Sequence, residues 1–203
     1  MGLKEEFDQG SKWVREEFDL RVANQMLSCF ETVIRFLGGL LGAYHMSGDE
    51  MFVKKAVDVA MALDPAFHDS PLPAAHFNPK TGKTDSASGR ILAEIGSFHL
   101  EYYDLAFASG DQKWYDRAAG IREVIRTIKT KDGLLSNRIS RPKKGSDGKW
   151  SASPQSQTIS FGAEGDSYYE YLIKAFYQSN RKDTDAKEMY DKSITGAKHL
   201  LIK

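Results

Sequence analysis

The chain has 203 residues and 41% of them are hydrophobic, which excludes wholesale disorder. Lys plus Arg number 28, as do Asp plus Glu, so the formal net charge is zero and the composition does not favour nucleic acid or an anionic membrane as a partner. The longest strongly apolar run, 36–44, is far shorter than the ~20 residues of a membrane span, and no N-terminal segment is typical of a signal peptide. The only cysteine, Cys29, excludes an internal disulfide, and its apolar neighbours predict that it is buried.

Four segments carry apolar residues at three- and four-residue spacing, the pattern of an amphipathic helix with one charged face. In chain order these apolar stripes run over residues 3–18, 52–63, 114–128 and 186–201. The third stripe consists of Trp114, Ala118, Ile121, Ile125 and Ile128. We predict four helices that each bury one face.

Three other segments, 30–44, 91–107 and 168–177, are apolar around most of a helix circumference. A helix of that kind is packed on nearly all sides. Gly38 and Gly39 in the first segment would each cost about 1 kcal/mol relative to Ala in a helix. We therefore expect a neighbouring helix or a ligand to approach closely there.

The two kinds of helix alternate, and the turns between them are alike. Residues 47–49 and 109–111 both read Ser-Gly-Asp, which supplies a left-handed glycine to end one helix and an Asp to cap the next. The resulting repeat is a buried helix, a tight turn, an amphipathic helix and a long loop. It predicts an all-α fold in which αα-hairpin repeats form a solenoid or part of a toroid, with an inner and an outer row.

The repeat also predicts that residues 1–203 are a partial domain. Residues 1–18 match an outer helix without its inner partner, and 186–201 match another outer helix at the end. A ring interrupted in this way would expose apolar faces, which repeat proteins normally cover with polar caps. We expect a fragment of a larger all-helical domain, with self-association through the exposed ends as one consequence.

Both long loops, 64–90 and 131–163, join an outer helix to the next inner helix and so emerge at one end of the fold. Long loops on one face of a rigid scaffold are where sites tend to be built. The second loop is rich in Lys and Arg, which we interpret as a solvated loop rather than a nucleic-acid patch.

The same end holds three acidic residues near the starts of the inner helices, Glu31, Glu94 and Asp166. One interpretation is that each only caps its helix or pairs with the helix dipole. The other is that carboxylates buried together have separated pKa values, which provides the proton donor and the base of a paired-carboxylate hydrolysis. Arg35 follows Glu31 by four residues and could pair with it or contact a ligand. Glu170 follows Asp166 at the same spacing, and the five histidines show no metal-ligand spacing.

Two segments resemble signatures of a known family. Residues 30–44, FETVIRFLGGLLGAY, closely resemble the signature of glycoside hydrolase family 47, the class I α-1,2-mannosidases of N-glycan trimming. Residues 162–172, GAEGDSYYEYL, resemble a second signature. Lesser matches fall in family order at residues 65–67, 91–96, 100–102 and 198–201. These motifs resemble those of the Golgi-type enzymes more than those of the lectin-like degradation factors of the family.

The resemblance implies an (αα)₇ barrel, a Ca²⁺ ion at its base and inverting hydrolysis of terminal α-1,2-linked mannose from high-mannose N-glycans in the Golgi or endoplasmic reticulum lumen. By matching position, Glu31 corresponds to the proposed general acid and Asp166 to a carboxylate that helps to place the attacking water. Glu164 stands where family members usually carry Leu or Arg, and its charge could alter the pKa of Asp166 or the fit of the sugar. The substrate-binding residues expected from the resemblance are Arg35, Glu94, Glu164 and Glu170.

The sequence also departs from the family pattern. It matches less than half of a family domain, so we expect the third catalytic carboxylate and the Thr that ligates Ca²⁺ directly to be absent, and the loop 68–90 is shortened. These departures leave two alternatives to an active α-mannosidase. In the first, the chain is catalytically inactive and binds glycan. In the second, it is a helical-repeat scaffold for protein partners.

Overall fold

The computed structural model describes residues 2–85 and 89–202, and it is mostly helical, as the sequence predicts. The α-helices in this part of the chain are α1 (Lys4–Glu16), α2 (Cys29–Glu31), α3 (Gly38–Ser47), α4 (Glu50–Leu63), α5 (Leu92–Gly96), α6 (His99–Ser109), α7 (Gln112–Arg126), α8 (Asp166–Gln178) and α9 (Thr184–Leu200). A π-helical segment, Thr32–Leu37, joins α2 to α3, and 3₁₀ turns occupy Leu20–Val22 and Asp64–Phe67. The short strands described in the loops are β1 (Leu27–Ser28), β2 (His76–Phe77), β3 (Gly89–Ile91), β4 (Arg138–Ser140), β5 (Lys143–Lys144) and β6 (Trp150–Ser151). Within these described ranges, no helix has the length and apolar character needed to cross a membrane.

The helices pair as the alternating pattern predicts. α3 packs against α4, α6 against α7, and α8 against α9, so that each pair is a helical hairpin. Within the inner row, α6 contacts both α3 and α8. The arrangement confirms an inner row of α2 to α3, α5 to α6 and α8, backed by the outer helices α1, α4, α7 and α9.

The tight turns between paired helices have the predicted chemistry. Gly48 and Gly110 follow α3 and α6 with φ angles of 71° and 72°, in the left-handed region. The next residues, Asp49 and Asp111, each accept a hydrogen bond from the backbone N–H two residues later, at 2.9 Å. At the third turn Asn180 takes the left-handed conformation in place of a glycine, which a short amide side chain tolerates.

The apolar stripes of α4 and α7 form the outer half of the core, and Trp114 and Ile121 are almost completely buried. The first predicted helix, α1, differs from α4 and α7 in that it contains no buried residue. Its Phe7 reaches Phe52 of α4, with ring centroids 6.1 Å apart, but remains partly exposed. The stripe of α1 therefore lies on the outside of α4 without being enclosed itself.

The inner helices are not packed on all sides, so that prediction is wrong. Met46 is 88% exposed and Phe107 is 84% exposed, and Phe36 and Tyr177 are exposed as well. Each inner helix packs on its outer partner and on its inner neighbours, which bury residues such as Tyr102. In the described ranges, the exposed positions of the inner row combine these apolar side chains with charged ones such as Arg35, Glu170 and Lys174.

Glycine allows close approach in the inner row. A Cβ atom at Gly96, which ends α5, would lie 2.5 Å from the ring of Tyr168 in α8. A Cβ atom at Gly38 would lie 3.5 Å from Glu101 of α6, whereas one at Gly39 would meet nothing within 4 Å among the described residues. The expected approach of a neighbouring helix is confirmed at Gly38 and wrong at Gly39.

Short antiparallel strand pairs tie the long loops together, and the sequence did not predict them. β1 pairs with β2, with Ser28 opposite His76. β3 pairs with β4, with Arg90 opposite Ile139, and β5 pairs with β6. Cys29, directly after β1, is buried as predicted, and burial raises the pKa of its thiol.

Candidate active site

The starts of the inner helices meet at the loop end of the fold. Glu31 is the last residue of α2, Glu94 is the third residue of α5, and Asp166 is the first residue of α8. α5 contacts both α2 and α8, so the three acids stand on neighbouring elements. The prediction that an acid lies near each inner-helix start is therefore confirmed.

A buried asparagine joins two of these helix starts. The side chain of Asn137 donates to the carbonyl of Ala163 at 3.2 Å and accepts from the backbone N–H of Ser160 at 3.0 Å. Its own carbonyl accepts from the N–H of Leu92, the first residue of α5, at 2.8 Å. Asn137 thus fixes where α5 begins relative to the loop that leads into α8. Sequence analysis missed it because a single Asn in a loop has no distinguishing pattern.

Glu31 is positioned by a capped helix start. The Oγ of Ser28 accepts from the Glu31 N–H at 3.2 Å, and the Ser28 carbonyl accepts from the Thr32 hydroxyl at 2.8 Å. In the π-helical segment that follows, the Nε of Arg35 donates to a carboxylate oxygen of Glu31. Of the two roles considered for Arg35, the structure therefore shows the ion pair. π-Helical turns within α-helices are frequent at functional sites.

Glu94 is half-buried and surrounded by charged groups. Burial raises the pKa of its carboxyl, His76 opposes this rise, and the carboxylates of Asp85 and Glu164 add to it. Arg138 acts in the same direction as His76. Because burial and like charges both disfavour the ionised form, Glu94 keeps a proton more readily than an exposed glutamate does.

Glu164 has a left-handed backbone conformation, with a φ of 71°, which is uncommon outside glycine. Its carbonyl accepts from the N–H of Ala93 at 2.9 Å, and its carboxylate pairs with Arg138. Its negative charge raises the pKa of Glu94. The sequence did not predict this effect, because it suggested an influence of Glu164 on the pKa of Asp166 instead.

Asp166 and Glu170 are both exposed. The Asp166 carboxylate accepts from the backbone N–H of Ser167 at 3.0 Å, in the first turn of α8. Glu170 pairs with Lys174, one turn further along the same helix. A ligand can therefore reach both acids without any movement of the helix.

A histidine and carboxylate pair at this end was missed by sequence analysis. The Nδ1 of His76 lies 2.9 Å from the Oδ2 of Asp85. The sequence around His76 has no metal-ligand spacing, and Asp85 stands in the shortened loop, which has no hydrophobic period. Neither residue therefore has a local pattern that marks it.

The candidate site is an open surface. A cavity of about 520 Å³ lies away from the acids, between α7 and the loop after α4, where Phe67, Arg117 and Trp150 line it. Beside Glu94 lies a crevice of about 10 Å³ that Phe30 also lines. In the described part of the chain, no cluster of three or more His, Cys, Asp or Glu side chains could hold a metal ion.

The chain is similar to known α-1,2-mannosidases in both sequence and structure. The profile of Glycosyl hydrolase family 47 matches residues 1–203. Mannosyl-oligosaccharide 1,2-alpha-mannosidase IB of Mus musculus is 39% identical over an alignment of 209 positions that covers 100% of this chain and 31% of the mouse protein. The endoplasmic reticulum mannosyl-oligosaccharide 1,2-alpha-mannosidase of Mus musculus is 38% identical over 207 residues, 99% of this chain and 30% of that protein. The alpha-1,2-mannosidase from Trichoderma reesei matches in structure with a TM-score of 0.84 and 25% identity, covering 98% of this chain and 44% of that one. The chain thus spans roughly a third of the length of the curated relatives.

Proposed function

The chain belongs to glycosyl hydrolase family 47, and on that premise we propose that it acts on terminal α-1,2-linked mannose of high-mannose N-glycans. The relatives compared above carry the name of this activity. The observation that carries the proposal is the set of carboxylates at neighbouring inner-helix starts. Hydrolysis of a glycosidic bond needs one carboxyl group to give a proton and a second to activate water.

In the proposed reaction, Glu31 protonates the glycosidic oxygen of the leaving sugar as the bond to the mannose carbon breaks. Asp166 helps to place the water that attacks the opposite face of the mannose ring and takes up the proton that this water loses, and the attack inverts the configuration at the reacting carbon. Arg35 and Glu94 hold sugar hydroxyl groups. The position of Glu94 supports that role, because it is half-buried on α5, which contacts both α2 and α8.

The family resemblance also implies Ca²⁺, but the described residues do not provide a cluster of ligands for the ion. No step above uses it. We propose that Ca²⁺ serves the family domain as a whole, and that its direct protein ligand is not among the described residues.

The proposed setting is the lumen of the endoplasmic reticulum or the Golgi. One relative is named for the endoplasmic reticulum, and a mannosyl-oligosaccharide is the substrate that the relatives' names give. The exposed apolar side chains of the inner row, such as Met46 and Phe107, are compatible with self-association, which stays a prediction.

Mannose release from a high-mannose oligosaccharide, with Ca²⁺ in the buffer, tests the proposal. Glu31→Gln is expected to lower the rate by at least ~100-fold, because it removes the proton donor. The matched control is Glu188→Gln on the outer helix α9, where Glu188 is exposed and pairs with Lys192. The control should retain the wild-type rate, and circular dichroism should show the same helix content in all samples.

The outcomes separate the competing functions. Equal rates for wild type and Glu31→Gln would contradict the assignment of the acid. Saturable binding of the oligosaccharide without release would favour a glycan-binding protein. A folded sample that neither binds the oligosaccharide nor releases mannose from it would contradict the proposed function.

A further inference from the structure

His76 and Asp85 form a polar pair at the candidate site that the proposed reaction does not use. His76 stands opposite Ser28 in the β1 and β2 pair, and the side chains of directly opposed residues lie on the same face of such a pair. On that face, the Ser28 side chain caps the helix that carries Glu31. His76 therefore lies beside the start of that helix.

The adjacent register position shows which face of the strand pair is turned outward. Leu27 stands opposite Phe77, and Phe77 is completely buried. Side chains alternate along a strand, so His76 points away from the core. Its imidazole is accordingly half exposed and accessible to a ligand that approaches the acids from solvent.

Asp85 fixes the orientation of this imidazole. Its Oδ2 lies 2.9 Å from His76 Nδ1, and its Oδ1 accepts from the Ala75 N–H at 3.2 Å. The Asp85 N–H also donates to the His76 carbonyl at 3.1 Å. A carboxylate at Nδ1 selects the tautomer that is protonated there. The polar atom left for a ligand is Nε2, which has no hydrogen-bond partner in the part of the chain that the structure describes.

The pair is also close to the second acid of the site. Among the charged groups that act on the pKa of Glu94, His76 has the largest influence and Asp85 follows it. Ala75, the residue before His76, lines the same crevice as Glu94, so His76 lies near the helix start with Glu94 as well as the helix start with Glu31. It is at the rim, because Glu94 is half-buried while the imidazole reaches solvent.

We propose that His76 is a substrate-binding residue that holds the second sugar of the glycan, the one linked to the terminal mannose, through a hydrogen bond between its Nε2 and a hydroxyl group. Asp85 is the positioning residue for this contact. The inference rests on the proposed function, since it requires the terminal mannose to lie among the acids. A rim residue then meets the next sugar outward. Because Asp85 holds Nδ1, the imidazole presents Nε2 to a hydroxyl group in one fixed direction.

The test compares two matched pairs in the same protein. His45 and Asp104 form a second histidine and carboxylate pair, at 2.8 Å, with side chains 49% and 24% exposed against 51% and 22% for His76 and Asp85. His45 lies in the last turn of α3, at the opposite end of the inner row. The variants are His76→Gln and His45→Gln. The probes are α-1,2-mannobiose with sulfur in place of the glycosidic oxygen, so that it is not hydrolysed, and methyl α-mannoside, which lacks the second sugar. Binding is followed by NMR titration.

We expect His76→Gln to bind mannobiose about 5-fold more weakly, the effect of losing one net hydrogen bond. Its affinity for methyl α-mannoside should not change, and His45→Gln should alter neither affinity. In the wild-type protein, mannobiose should shift the imidazole signals of His76 and leave those of His45 in place, which tests the contact without any substitution.

Each other outcome has a definite meaning. Unchanged mannobiose binding by His76→Gln, without a shift of the His76 signals, overturns this inference and leaves the proposed function intact. Equal weakening for both saccharides also overturns it, because His76 would then act on the whole site. No binding of either saccharide by the folded wild-type protein overturns the inference together with the proposed function.

Discussion

Replacing Glu101 with Gln should remove a large part of the pH dependence of stability. Glu101 lies in the first turn of α6, against the backbone at Gly38. One carboxylate oxygen accepts from the Tyr171 hydroxyl at 2.9 Å, and the other is buried without a partner in the described ranges. Burial raises the pKa of this carboxyl from its ordinary 4.5 to about 7, while Tyr171 and Lys174 oppose the rise and Asp104 adds to it.

The sign and the size of the effect follow from these two pKa values. The folded state keeps a proton that the unfolded state releases, so the stabilising contribution is fully present below pH 4.5 and is lost as the pH rises through about 7. The difference corresponds to ~3 kcal/mol between the two protonation states. About 2.5 kcal/mol of it is lost between pH 5 and pH 8.

Urea unfolding, followed by circular dichroism at several pH values between 5 and 8, measures this loss. Because Gln does not titrate, the free energy of unfolding of the wild type should fall relative to Glu101→Gln by about 2.5 kcal/mol across that range. Tyr171→Phe is the matched variant, since the hydroxyl lowers the pKa of Glu101 and its removal should move the loss to higher pH. A difference between wild type and Glu101→Gln that stays constant with pH would refute the reasoning.

Two further predictions concern packing and buried charge, and thermal unfolding measures both. Gly96→Ala places a carbon 2.5 Å from Tyr168 and should lower the free energy of unfolding by about 2 kcal/mol, whereas the control Gly39→Ala, in open space, should raise it by up to ~1 kcal/mol. A stabilising Gly96→Ala would show that α5 and α8 are not in close contact. Asp183→Asn leaves the buried Arg122 without its counter-charge and should cost about 3 kcal/mol. A loss under ~1 kcal/mol would mean that Arg122 does not depend on this ion pair.

The helical architecture could be predicted because its determinants are local. The apolar period of 114–128 acts within a few turns, and Gly110 with Asp111 ends one helix and begins the next without help from elsewhere. Glu31 and Asp166 were found in the same way, since each stands beside a helix start that its own neighbours define.

The rest of the site depends on contacts between distant segments. The place of His76 beside Glu31 comes from the pairing of β1 with β2, and Asn137 matters only because it meets α5. The prediction that the inner helices are packed on all sides was wrong for a related reason. An apolar side chain such as Phe107 indicates that burial is favourable, but it does not show whether a neighbour is present on that side.

The strand pairs also have a kinetic meaning. β1 with β2, and β3 with β4, each join positions about fifty residues apart, whereas the helical hairpins join immediate neighbours in the chain. Contacts between neighbours form quickly, and the closure of long loops is slow because of its entropy. The helical rows are therefore expected to assemble first, and the acids to come together in the last step of folding. We therefore expect the helix content to reach its final value before the candidate site has formed, so that the loop contacts, rather than the circular dichroism signal of the helices, report the formation of the site.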